Sequence, residues 1–101
     1  MKQFDIDSKV LIVGLGLLGG SYAKALTKKG MYVSAIDIKK QSIDYAINNG
    51  IIAKGSDFVD PELIGEADVI VFALYPKVFV NWIKEYQHLY SIEQPLLFVQ
   101  N

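Results

Sequence analysis

The chain has 101 residues, 51% of them apolar, and a mean hydropathy of +0.26: enough for one domain with a modest core, and high for a soluble chain this small. Ten Lys and Arg against eleven Asp and Glu leave a net charge of −1 with no basic run beyond pairs, which argues against nucleic acid or an anionic membrane as partner. There is no cysteine, so disulfides and thiolate metal sites are excluded and a cytoplasmic setting is the default; the longest apolar run, Val69 to Tyr75, falls far short of the roughly 20 residues that span a bilayer.

Residues 1–8 read as a leader without the layout of a signal peptide. Val10 to Val13 predicts a buried strand, and Leu18 to Lys29 a helix closed by Gly30, with Lys28 and Lys29 at the negative end of its dipole. Tyr32 to Asp37 reads as the second strand and Gln41 to Asn48 as the second helix, ended by Asn49-Gly50. A short third strand is expected at Ile51 to Ala53. Asp60-Pro61-Glu62 is a helix start, with an acceptor at the cap, proline in the first turn and an acid near the positive end. Gly65 keeps that helix to a turn or two before the strand Val69 to Leu74. Pro76 opens another helix, to Tyr86 or Tyr90, and Leu96 to Val99 is the last strand. The order β-α-β-α-β-α-β-α-β with short connections predicts an α/β domain over 1–101: a doubly wound parallel sheet in three α/β/α layers. The last strand would lie at a sheet edge, a route to self-association.

The chemistry concentrates where the first strand meets the first helix. Gly14, Gly16 and Gly19 are spaced G-x-G-x-x-G, directly after a strand and at the opening of a helix. Gly14 permits the tight turn, Gly16 lets backbone approach a phosphate, and Gly19 lets helix and strand pack closely. The N–H groups of Leu17 and Leu18 then point out of the helix, where the aligned dipoles favour an anion. In this context the motif is the fingerprint of a Rossmann-like, NAD(P)-binding fold, and a dinucleotide is the expected partner.

Asp37 stands at the end of the second strand, where a carboxylate accepts the hydroxyls of an adenosine ribose and repels a 2′-phosphate. Its structural alternative is to cap the following helix. Ile38, next to it, is assigned to the same site. Lys39 and Lys40 are within reach of a 2′-phosphate, but the chain has no arginine to grip one in bidentate fashion, so NAD is expected over NADP. Leu74, Tyr75 and Pro76 follow the fourth strand at the carboxyl edge, where the ligand crevice of an open α/β sheet lies. Phe79, Trp82, Ile83, Tyr86 and Tyr90 share one helix face, a packing pattern. His88, the only histidine, sits off that face as a surface residue, and no metal-ligand spacing occurs.

The fuller segment Gly14-Leu-Gly-Leu-Leu-Gly-Gly-Ser21 is more specific than the general fingerprint. It resembles prephenate dehydrogenase, where G-L-G-L-I-G-G-S opens the protein. Ala23-Lys24-Ala25-Leu26, the strand ending in Asp37, Asn49-Gly50-Ile51-Ile52 and the proline helix start also look like that family, so the resemblance runs from residue 9 to about 99. Tyr75 departs from it, since many members carry a small hydroxyl residue there. The resemblance implies oxidative decarboxylation of prephenate to 4-hydroxyphenylpyruvate in tyrosine biosynthesis, with hydride passing to the nicotinamide. The family's H-P-x-x-G histidine, its carboxylate-binding arginines and its helical dimerisation domain have no counterpart here, and Gln100-Asn101 stand in place of its serine- and lysine-containing loop. The expectation is therefore a cofactor half, inactive by itself. The alternatives are the cofactor domain of a β-hydroxyacid dehydrogenase and a stand-alone nucleotide-sensing or interaction module.

Overall fold

In the computed structural model, which describes residues 5–91 and 94–99, strands and helices alternate along the chain. They are β1 (Lys9–Val13), α1 (Leu17–Lys28), β2 (Tyr32–Ile36), α2 (Lys40–Asn48), β3 (Lys54–Ser56), α3 (Pro61–Glu66), β4 (Val69–Phe72), α4 (Pro76–Tyr86) and β5 (Leu96–Phe98). Residues 1–4 of the expected leader, and Gln100 and Asn101, lie outside the described residues.

The five strands form one sheet in the order β3-β2-β1-β4-β5, and every pairing is parallel. β1 sits between β2 and β4, with Val10 opposite both Val33 and Val69. A strand covered on both faces must be apolar at every position rather than at alternate ones. Val10, Leu11 and Ile12 are accordingly all fully buried. Their side chains alternate between two layers. Val10 and Ile12 pack with Ala23 of α1 and with Ile43 and Ala46 of α2; Leu11 and Val13 pack with Leu63 and Ile64 of α3 and Trp82 of α4. Helices therefore cover both faces, as the doubly wound reading requires.

Successive strands run outward from β1 through β2 to β3, then jump across to β4 and β5. The reversal opens a crevice at the carboxyl ends of β1 and β4.

The third strand corrects the sequence reading. It lies at Lys54–Ser56, not at Ile51 to Ala53. The apolar pair instead wraps the end of α2: the Ile51 and Ile52 amides donate to the Ala46 carbonyl at 2.8 and 3.3 Å, and Ile52 is buried in the core. Pairing to Ser34, Ala35 and Ile36 then falls on Lys54, Gly55 and Ser56. Gly55 leaves room there for the Ile52 and Ile43 side chains, which a β-carbon would meet at 2.9 and 3.0 Å and push aside. Helix α4 ends at Tyr86, so His88 lies beyond the helix, where it is exposed. β5 occupies a sheet edge, with Leu97 and Phe98 partly exposed.

Candidate functional site

The site is built on the turn between β1 and α1. Gly14 has φ +100°, and a β-carbon there would stand 2.6 Å from the Ala73 carbonyl oxygen, so only glycine lets the ends of β1 and β4 converge. Gly19 is tighter still. Its β-carbon would lie 1.8 Å from the Gly14 carbonyl oxygen, which means α1 rests directly on the turn.

Gly16 plays a different part. A β-carbon there would meet nothing within 4 Å, so the space over the front of α1 is open. Gly16 is the N-cap residue and offers no side-chain acceptor; the first turn carries no acid. The first helical bond runs from the Gly20 amide to the Gly16 carbonyl at 2.8 Å. The amides of Leu17, Leu18 and Gly19 come before it, which is the usual state of the first turn when no cap is supplied. The Leu17 side chain is 92% exposed and does not cover them. The arrangement suits a diphosphate: free donors, a favourable dipole and room for the anion.

Asp37 stands just past β2 and braces this turn. Its Oδ2 accepts from the Leu15 amide at 2.7 Å, and its Oδ1 from the Lys39 amide at 2.8 Å. The capping alternative does not hold, because the N-cap of α2 is Lys39. A carboxylate has about four acceptor positions, so each oxygen of Asp37 keeps capacity for a ribose hydroxyl. Lys40 is turned away to Asp44, Nζ to Oδ2 2.7 Å; that hydrogen bond and the carboxylate's charge raise the lysine pKa above its ordinary value.

Two cavities flank the glycine turn. One, of about 340 Å³, is lined by Gly14, Asp37, Ile38 and Leu74 together with residues of α4. The other, of about 540 Å³, lies between α1 and α2 and is lined by Gly16, Leu17, Ser21, Lys24, Gln41 and Tyr45, among others. The larger one lacks Asp37; the smaller joins the acid to the turn. Leu18 and Gly19 line neither of these two cavities. Tyr75 is the N-cap residue of α4 and is 70% exposed, Pro76 is the first residue of that helix, and neither lines either of these two cavities. The sequence reading missed Val59 and the α4 residues Val78, Asn81 and Glu85 of the smaller cavity. The one available signal was a helix entering at the carboxyl edge after Pro76. Among the described residues no group of His, Asp and Glu could hold a metal ion. No helix among them is long and apolar enough to cross a membrane.

Residues 9–89 match the family model of the NAD binding domain of 6-phosphogluconate dehydrogenase. The chain belongs to that family. It is an NAD-binding domain of Rossmann fold, and its turn and sheet order agree with that. Curated protein sequences give no match. Among solved structures it is similar to a prephenate dehydrogenase from A. aeolicus in complex with hydroxyphenyl propionate and NAD+, at 26% identity and TM-score 0.80 over 98% of this chain and 35% of that one. It also shares its fold with Synechocystis arogenate dehydrogenase, at 21% identity and TM-score 0.82 over 90% of this chain and 32% of that one. A Mycobacterium tuberculosis 3-hydroxyisobutyrate dehydrogenase has the same fold, at 20% identity and TM-score 0.79 over 93% of this chain and 33% of that one. The chain spans about a third of the length of these structures.

Proposed function

We propose that this domain holds NAD across the Gly14–Gly19 turn and serves as the cofactor half of a prephenate dehydrogenase. The observation that carries the reading is the open, uncapped front of α1 above Gly16, with Asp37 tied to the same turn at 2.7 Å. The amides of Leu17, Leu18 and Gly19 hold the diphosphate, Asp37 takes the ribose hydroxyls, and Ile38 and Leu74 form apolar walls around the base. Tyr75 and Pro76 set the start of α4 beside the cofactor path. NAD, when bound, supplies the hydride acceptor for oxidative decarboxylation. The dehydrogenase's acid/base and its cations for the substrate carboxylates are assigned to parts other than this domain: His88 lies exposed past α4 and the sequence has no arginine.

Gly14-Leu-Gly-Leu-Leu-Gly-Gly-Ser21 and the 26% identity with the A. aeolicus enzyme support prephenate as the substrate. The match to the 6-phosphogluconate dehydrogenase family favours a second reading, a β-hydroxyacid-type dehydrogenase. Titration calorimetry with NAD and NADP tests the cofactor assignment. NAD is expected to bind and NADP more weakly, without prephenate-dependent turnover by the chain itself. Absence of heat with either dinucleotide refutes the site, and steady NADH formation with prephenate refutes the division of labour. The partly exposed β5 edge supports self-association of the domain, in a cytoplasmic setting; light scattering that gives a monomer at every concentration refutes that part.

A further inference from the structure

We infer that Asn81 and Glu85 of α4 read the base of the dinucleotide, making this domain selective for adenine. The inference rests on the cofactor reading above and goes beyond it by assigning base recognition to residues outside the glycine turn and the strand ends.

The cavity that contains Asp37 is walled by Ile38, Val59, Leu74 and Val78, and its remaining lining includes Asn81 and Glu85. Apolar walls suit the faces of a flat heterocycle, and a few placed polar groups fix its orientation. Asn81 and Glu85 stand four residues apart on one helix and so share a face. That helix is firmly placed. Between them Trp82 is 8% exposed and meets Phe72 edge-on at 4.9 Å, while Tyr86 packs on Trp82 at 5.0 Å. Yet neither polar side chain has a hydrogen bond or ion pair with another described residue. Both are exposed, held on an anchored helix, and border an apolar slot, where their donor and acceptor groups are available to a base.

Adenine matches those groups. Its exocyclic amine donates and its ring nitrogens accept. A glutamate carboxylate only accepts, so it takes the amine; an asparagine amide donates and accepts at once, so it pairs with the amine and an adjacent ring nitrogen. Hypoxanthine carries a carbonyl oxygen in place of the amine, which would face the Glu85 carboxylate as acceptor against acceptor.

The test is titration calorimetry of the whole chain with NAD and with nicotinamide hypoxanthine dinucleotide. The expected result is a preference for NAD of about tenfold, the size of one good base-edge pairing. Glu85→Gln, whose amide donates to the carbonyl, should erase or reverse that preference, and Asn81→Ala should weaken NAD more than the hypoxanthine analogue. Circular dichroism of both variants is expected to be unchanged, because both residues are exposed. Equal affinity of the native chain for the two dinucleotides overturns the inference and leaves the cofactor site standing, as does an unchanged ratio in Glu85→Gln. Failure to bind either one overturns the site itself.

Discussion

Helices α1 and α3 begin in opposite ways. At the front of α3, Asp60 accepts from the Glu62 amide at 3.0 Å and from the Ser56 hydroxyl at 2.6 Å. Pro61 follows with no N–H to satisfy, and Glu62 places a negative charge in the first turn. At the front of α1 there is a glycine, no side-chain acceptor and no acid. Yet α1 is the longer helix, 12 residues against 6. A glycine cap in place of an aspartate forgoes about a few tenths of a kcal/mol, which a helix of 12 residues tolerates. The chain therefore completes the shorter helix with its own carboxylates and gives the front of the longer one no side-chain acceptor.

Gly19→Ala is the harshest way to break that contrast, because it attacks the seat of α1 rather than its donors. The new methyl would start 1.8 Å from the Gly14 carbonyl oxygen, and both groups are backbone held by a helix and a sheet. Nothing nearby can rotate away, so helix and turn must separate. We expect a loss of about 3 kcal/mol or more, seen as a fall in thermal midpoint of more than about 10 °C. A variant that melts with the native chain would show that α1 does not rest on the turn.

The same residues show what sequence alone could reveal. Gly14 and Gly19 were legible because their constraints are local: a positive φ and a helix pressed on its own turn. Asp60-Pro61-Glu62 was legible for the same reason. The third strand was not. Its residues are polar or glycine, and they become a strand because Ser34, Ala35 and Ile36 offer an edge, while the more apolar Ile51 and Ile52 finish α2. The bond from the Leu15 amide to Asp37, like the cavity side of α4, depends on segments far apart in sequence, where no periodicity reports.

Gly16→Asp sharpens the contrast by giving α1 the kind of cap that α3 has. Gly16 has φ −66° and ψ −166°, an extended conformation that any residue adopts, and open space where the side chain would go. The carboxylate is expected to accept from the Leu18 or Gly19 amide, leaving stability unchanged or a few tenths of a kcal/mol higher. Dinucleotide affinity should fall by about 100-fold, since a charge about 4 Å from a phosphate at effective dielectric 20 opposes it by about 4 kcal/mol, before salt and rearrangement reduce the effect. Retained stability with lost binding would separate the donors from the fold. Calorimetry that found native affinity would mean the diphosphate sits elsewhere.

Asp60→Ala removes the cap of α3 and should have the smallest effect. The Glu62 amide and the Ser56 hydroxyl lose their acceptor, at a cost of about 1 kcal/mol. Leu63 and Ile64 are 1% and 0% exposed and keep α3 in place through the core, so the damage stays at the front of the helix. Two paths lead from Asp60 to the cavity: Val59, which lines it, precedes Asp60 directly, and Ser56, which donates to Asp60, accepts from the Asp37 amide at 3.2 Å. NAD affinity within about twofold of native would mean the core carries the cavity wall, because a twofold change is only about 0.4 kcal/mol. A larger loss would mean the cap of α3 supports the cavity through Val59 or through Ser56 and Asp37, and the two helix fronts would then be parts of a single site.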